Sequence, residues 1–465
     1  MDFRIEHDYL GEVKVPKDAY WGAQTQRAVE NFPISGLRPY PEFISALIMV
    51  KKAAAQANLK TGVLDKKKAE AIISASDEIL SGKLKDQFVV DVYQAGAGTS
   101  NNMNANEVIA NRAIELLGGK KGDYSMIHPN DDVNKSQSTN DVIPTTMRLT
   151  IITLLLRLKE TADYMEMAFM KKAKEFDGIV KSGRTHLMDA APIRLGQEFE
   201  AWARMISKSK NRIDVVLEKL KEINIGATAV GTGLNADPRY RDLTIEYLSK
   251  ISGLDLRPAQ FLPEATQSLA DFLEASSVVR SLAADMVKIT NDIRLLNSGP
   301  ITGFDEISLP PVQPGSSIMP GKVNPSMAEA VLMVSFQVIG NDDVILLCTQ
   351  AGQLELNITM PLVIYVLSHS ITILNNVCKV FVDKALNGIT AHKEQIEEEV
   401  SKTPGVALAL NPYIGYEKAA EVVKRALKEG KSIKDTAKEM KVLPDKKLDE
   451  IFDPYRLTSI YKDKK

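Results

Sequence analysis

The stretch TTMRLTIITLLLRLKETADYMEMAFMKKAKEF, Thr145 to Phe176, decides the fold. Met147, Ile151, Leu154, Leu158, Met165 and Phe169 recur in helical steps with no Pro or Gly between them, so they form one apolar face of an α-helix. At about 1.5 Å per residue that helix is roughly 48 Å long. An apolar face of this length needs other long helices beside it, and the sequence supplies them. Between Gly196 and Ile223, Phe199, Trp202, Ile206, Ile213, Val216 and Leu220 fall on one heptad seam, with Ser209 as its single polar break. Glu264 to Leu296 carries Leu269, Phe272, Val279, Met286 and Ile293 in the same register, and Gly299 with Pro300 stops it. Ala330–Leu347 and Pro361–Leu386 are apolar on most sides, as expected of helices surrounded by helices. The chain therefore reads as mainly α, with a central bundle of about five long helices over residues 141–390.

The flanks differ from this bundle. Residues 1–140 mix a short hairpin (Arg4 to Val15) with modest helices such as Asp65–Ser81, ended by Gly82, and read as a mostly helical N-terminal domain. Residues 391–465 read as a small C-terminal domain of short charged helices, Gly415–Glu429 and Ser432–Glu439, ending in the polar YKDKK. Three domains suit a 465-residue chain, because single cores stop growing at roughly 250 to 300 residues. The bundle helices are too long for one small domain to cover, so burial against further copies of the chain is expected.

Bulk composition narrows the partners. Lys plus Arg is 58 against 60 for Asp plus Glu, a formal charge of −2, and no basic excess points to nucleic acid. The start MDFRIEHDYLGEVKVPKD lacks an apolar leader, and no later stretch reads as a clean membrane span, so a cytoplasmic location is expected. Cys348 and Cys378 both lie in apolar helical sequence and read as buried free thiols. The five histidines are scattered and form no metal pattern. Of these, His369 reads as a core or interface residue, and His7 and His392 as surface residues.

Four segments are polar where a helical core should not be. They are GAGTSNNMNANE (Gly96–Glu107), HPNDDVNKSQSTND (His128–Asp141), GRTHL (Gly183–Leu187) and PGSSIMPGKVNP (Pro314–Pro325). Each alone could be a helix cap or turn, since Ser, Thr, Asn and Asp favour those positions. Four together, each reading as the lead-in to a helix, suggest one polar pocket, and helix N-termini suit a carboxylate or phosphate. The last segment reads as a mobile active-site loop. It is not a nucleotide-binding loop, because Val323 follows Lys322 where Ser or Thr is required.

At these segments the sequence resembles the aspartase/fumarase superfamily, and the likeness runs from PKDAYWGAQTQRA to NPYIGY. GSSIMPGKVNP is the superfamily signature. GAGTSNNMNANEV, QSTND and VDVYQAGAGTS are similar to aspartases, while WGAQTQR and HPNDDVNKSQS resemble class II fumarases equally. The resemblance implies elimination of ammonia from L-aspartate to give fumarate, the activity of an aspartate ammonia-lyase. A class II fumarate hydratase is the alternative, and a catalytically inactive structural relative, as in lens crystallins, a third.

In the family reaction a proton leaves the carbon beside a carboxylate, and the enediolate so formed must be stabilised by fixed hydrogen-bond donors. The resemblance implies Ser316 as general base, with His186 and Glu329 positioning the leaving group. Thr99, Ser138, Thr139 and Ser317 would hold the carboxylate that becomes the enediolate, and Lys322 and Asn324 the other one. Asn140 and Thr185 would surround the amino group with His186. His128, Asn130 and Asp131 match a second anion site, although the arginine expected three residues before the histidine is Ser125. Glu355 and Asn357 are given structural roles. No metal ligand and no cofactor are implied, divalent-cation activation at high pH stays open, and the assembly implied is a homotetramer with sites shared between subunits.

Overall fold

The computed structural model describes residues 2–459, so the YKDKK end lies outside it. Strands β1 (Phe3–Asp8) and β2 (Gly11–Pro16) pair antiparallel as the expected hairpin. Helices α1 (Ala23–Asn31), α2 (Pro41–Thr61), α3 (Lys66–Leu80) and α4 (Thr99–Leu116) follow. The Asp65 side chain caps α3 by accepting from the Lys68 N–H at 3.2 Å.

Helix α5 (Thr139–Glu175) starts earlier than its apolar spacing suggests, inside the second polar segment, and continues through Pro144. That proline lacks the N–H that would bond to the carbonyl four residues back. The carbonyl, of Asn140, instead accepts from Asn224 Nδ2 at 3.1 Å, so the helix starts without leaving a polar group orphaned.

Strands β3 (Val180–Thr185) and β4 (Met188–Arg194) form an antiparallel hairpin, followed by α6 (Leu195–Leu220). Short strands β5 (Glu222–Ile223) and β6 (Arg257–Pro258) pair on either side of α7 (Tyr240–Ser252). The expected single helix from Glu264 is broken into α8 (Leu262–Gln267) and α9 (Ala270–Leu296). Ser268 is extended there (ψ 132°), and its hydroxyl accepts from the Ala270 N–H at 3.3 Å, so a serine in mid-pattern is a new helix start. Strand β7 (Ile307–Ser308), helices α10 (Ser326–Gln350) and α11 (Met360–Lys384), and β8 (Thr390–Ala391) come next, with β7 and β8 paired. The chain ends in α12 (Lys393–Lys402), α13 (Asn411–Ile414), α14 (Tyr416–Glu429), α15 (Ile433–Glu439), α16 (Asp445–Ile451) and α17 (Pro454–Thr458).

The fold is thus mainly helical, and α5, α6, α9, α10 and α11 are the five long helices expected. Two compact units divide it, Met1–Lys159 with Asn211–Ala283 and Phe336–Asn375, and Glu160–Lys210 with Ala284–Ser335 and Asn376–Lys465. In the first, α2 packs on α3 and α7, with Tyr240 fully buried against Ala54 and Ala57. In the second, Phe176, Phe199 and Trp202 form an aromatic cluster whose ring centroids lie 4.7 to 5.1 Å apart, and Leu410, Val422, Ile433 and Leu448 centre the C-terminal helices.

Ser326–Gln350 and Met360–Gly388 are each long and apolar enough to cross a membrane, which corrects the reading that no stretch reaches that length. Polar residues that interrupt the first span are paired within the protein. Asp342 accepts from Ser276 and Arg280, both at 2.6 Å, and Asn341 Nδ2 donates to Ser370 at 2.9 Å. Such pairing belongs to a helix packed among helices.

Candidate active site

In the first unit, Thr99 opens α4 directly after Gly98, which adopts φ +88° and presses against Ile143 so closely that a Cβ would stand 3.2 Å from it. The Thr99 hydroxyl donates weakly to the Gly96 carbonyl at 3.4 Å. Ser138 precedes α5, and Thr139 and Asn140 open it. The fully buried Asp141 carboxylate accepts from the backbone N–H groups of Ser138 (2.9 Å), Gly226 (3.1 Å) and Thr228 (2.9 Å), which pins the turn to a second loop. Burial pushes this carboxyl up to about 6, and the three N–H groups oppose the rise.

Each hydroxyl of the turn has its oxygen engaged from within the protein. Ser138 Oγ accepts from the Asn140 N–H at 3.2 Å, and Thr139 Oγ1 accepts from Asn102 Nδ2 at 3.3 Å. Among the described residues neither hydroxyl donates a hydrogen bond, which leaves each proton available to a ligand. The Asn140 side chain donates to the Ala229 carbonyl at 2.7 Å, which fixes its amide plane.

In the second unit, GRTHL corrects one expectation, since it is the tip of the β3–β4 hairpin and not the lead-in to a helix. Thr185 pairs with Met188, and His186 (φ 56°) and Leu187 (φ 61°) form the two-residue turn. Two left-handed residues are what a tight hairpin turn demands, and without glycine each costs about 1 kcal/mol or more. Ion pairs hold the hairpin's root. Buried Glu306 faces Lys181 at 2.5 Å and Arg184 at 2.6 Å, and Lys181 also reaches Glu198 at 3.0 Å.

The Pro314–Pro325 loop lies between β7 and α10 without helix or strand. Its neck is closed by the Gly315 N–H donating to the Lys322 carbonyl (2.8 Å) and by Asn324 Nδ2 donating to the Gly315 carbonyl (2.7 Å). Only glycine fits there, because a Cβ would sit 2.6 Å from the Lys322 carbonyl oxygen. Inside the loop, Ser316 Oγ accepts two backbone N–H groups, from Ile318 at 3.2 Å and Met319 at 3.0 Å. Two donors aimed at one hydroxyl oxygen stabilise its anion. Ser317 is exposed.

Lys322, Asn324 and Glu329 line one open cleft of about 750 Å³ together with Arg294 and His392. Glu329 lies 4.0 Å from Arg294, and among the described residues no hydrogen bond or ion pair joins it to His186 within the chain. His392 is half-buried rather than a surface residue. Its Nε2 meets Ser308 Oγ at 2.8 Å, and its Nδ1 meets the Asp305 carbonyl at 2.7 Å.

Elsewhere, His128 lines a separate open cleft of about 420 Å³ with Asn130. Its Nδ1 accepts from the Asn130 and Asp131 N–H groups, each at 3.2 Å. His369 is a satisfied half-buried residue, bonded to the Tyr40 hydroxyl at 2.8 Å and stacked on Tyr365, and burial lowers its pKa. Asn357 is structural, accepting from Thr359 and donating to the Cys348 carbonyl at 2.9 Å, whereas exposed Glu355 has no partner among the described residues. Both cysteines are free and buried. Among the described residues no three or more His, Cys, Asp or Glu side chains gather as metal ligands would.

Sequence reasoning missed the support beneath the Thr139 turn, made of Lys51, Asn102, Asn134 and Asp141. A signal for part of it was present, because Asn102 and Asn106 sit one helical turn apart on α4 and both donate to Asn134 Oδ1 at 3.2 Å.

Comparison with known proteins gives the family. A family described as Lyase matches residues 11–340, and one described as Fumarase C C-terminus matches residues 407–459. The aspartate ammonia-lyase of a Bacillus species is 53% identical over 98% of both chains. That of Bacillus subtilis is 50% identical over 98% of this chain and 96% of its own. A crystal structure of a fumarate lyase:delta crystallin from Brucella melitensis, bound to cobalt, superposes with a TM-score of 0.96 at 46% identity, covering 99% of this chain and 100% of that one. The chain belongs to the aspartase/fumarase superfamily of lyases and, within it, to the aspartate ammonia-lyase family.

Proposed function

We infer that the chain is a carbon–nitrogen lyase that converts L-aspartate reversibly into fumarate and ammonia. The observation that carries the chemistry is Ser316, whose Oγ receives two backbone N–H groups within a loop closed at its neck. As an alkoxide, this oxygen takes a proton from the C3 carbon of aspartate. The electron pair left behind delocalises onto the adjacent carboxylate as an enediolate. It then returns to form the C2–C3 double bond as the C2–N bond breaks and the substrate's ammonium group departs as neutral ammonia.

The free hydroxyl protons of Ser138 and Thr139, with Thr99 and Ser317, stabilise the enediolate charge. Lys322 and Asn324 hold the second carboxylate, and Thr185, His186, Asn140 and Glu329 surround the leaving nitrogen. The reading uses no cofactor, because charge stabilisation comes from donors on the chain. Divalent cations would act as activators away from the reacting atoms.

We place the chain in a homotetramer that brings the two sets of residues into shared sites. Exposed Met333 (67%), Phe336 (58%) and Leu347 (61%) on α10 support this, since an apolar helix face of that kind calls for a protein neighbour. Sedimentation should give a species four times the chain mass, and a monomer at micromolar concentration would remove the tetramer. Two free buried thiols fit a reducing, cytoplasmic location. The direct test of activity is fumarate absorbance with ammonia release. Equimolar fumarate and ammonia from L-aspartate are expected, and fumarate formed only from L-malate would overturn the reading.

A further inference from the structure

Beneath the Thr139 turn lies a chain of polar side chains whose direction is set by backbone carbonyls that can only accept. Lys51, fully buried in α2, places Nζ 2.9 Å from Asn134 Oδ1 and 2.9 Å from Gln137 Oε1. The Gln137 backbone carbonyl can only accept, and it lies 3.2 Å from one end of the Asn134 amide, so that end is nitrogen and the end facing Lys51 is oxygen. The Gln137 side-chain amide is set in the same way, because its nitrogen lies 3.0 and 3.1 Å from the Val133 and Lys135 carbonyls. The Asn102 atom 3.2 Å from Asn134 Oδ1 must in turn be nitrogen, and the same nitrogen donates to Thr139 Oγ1 at 3.3 Å. With Asn102 buried at 2% exposure, neither amide can turn over without losing these bonds.

We propose that Asn102, oriented by the Asn134 amide oxygen, is a positioning residue that forces the Thr139 hydroxyl to act as a hydrogen-bond donor toward the substrate. The Thr139 hydroxyl has one proton, and because its oxygen already accepts from Asn102 that proton faces outward, where negative charge develops. The inference rests on the reading of Thr139 as a substrate contact.

The test compares kcat and KM for L-aspartate in Asn102→Asp, Asn102→Ala, Thr139→Val and the Asn102→Ala/Thr139→Val double variant, with thermal melting to verify folding. Aspartate at 102 can only accept, so it turns the Thr139 proton inward, whereas alanine merely releases it. Asn102→Asp should therefore lose about tenfold to a hundredfold in kcat/KM, with KM raised as well as kcat lowered, and lose more than Asn102→Ala. A purely structural role instead predicts that the loss of activity follows the loss of melting temperature across the variants, because a buried carboxylate facing the Asn134 oxygen also destabilises the fold, and that correlation would overturn the proposal. Should Asn102→Asp not fold, the double variant decides. It should be no worse than Thr139→Val alone, and a full additional loss from Asn102→Ala would refute the positioning role while leaving the substrate contact intact. A silent Thr139→Val would instead remove the contact itself, and the proposal with it.

Discussion

The Thr139 turn and the Ser316 loop are both short, polar and glycine- or serine-rich in sequence, yet the protein holds them in opposite ways. The turn is fixed from beneath by buried side chains, with Asp141 bonded to three N–H groups, Lys51 bonded to Asn134, and Asn102 setting its polarity. The loop has no such foundation. Ile318 is 83% exposed, and the loop's shape depends on its neck and on bonds between its own residues. Donors that bind a carboxylate throughout the reaction gain from rigidity. A base that must first admit its substrate gains from being carried on a segment able to move.

This contrast can be broken at several points. Ser316→Ala should lower kcat by about a thousandfold without changing the melting temperature, because the side chain supports nothing but its own turn. Near wild-type turnover would remove the assigned base. Gly315→Ala should lower kcat by about tenfold to a hundredfold, since misplacement of a reacting group by an ångström has effects of that order and a Cβ at 2.6 Å from the Lys322 carbonyl opens the neck. Its stability should stay close to wild type, and a large loss would show the loop to be part of the folding core.

The foundation is read in stability rather than in turnover. Burial lowers the Lys51 amine from 10.5 to about 7, while neighbouring Asp141 opposes the shift. The unfolded chain then binds a proton that the folded chain does not. The stabilising contribution is present above 10.5 and is lost as pH falls toward 7. Denaturant midpoints of Lys51→Met should accordingly show a weaker rise between these pH values than wild type, by up to about 1.4 kcal/mol per pH unit. An unchanged slope would mean that Lys51 stays charged in the fold.

The long helices were legible because their apolar faces repeat over many turns, so the pattern survives polar interruptions such as Ser209. Their ends were less legible. The start of α5 hides in a polar segment, and its Pro144 is tolerated only because Asn224, distant in sequence, takes the freed carbonyl. The GRTHL hairpin was unreadable for a related reason, since neither His186 nor Leu187 advertises the left-handed backbone each adopts. Site residues could be named where a motif carried them. Lys51 could not be, and Asn102 was marked only by its spacing from Asn106, because both acquire their role when α2, α4 and the 134–140 turn meet.

The division of labour between turn and loop is tested most directly by calorimetric titration of succinate, an unreactive four-carbon dicarboxylate, into Ser316→Ala and Thr139→Val. Affinity close to wild type is expected for Ser316→Ala and clearly weakened affinity for Thr139→Val. Weakened binding by the first with unchanged binding by the second would contradict it.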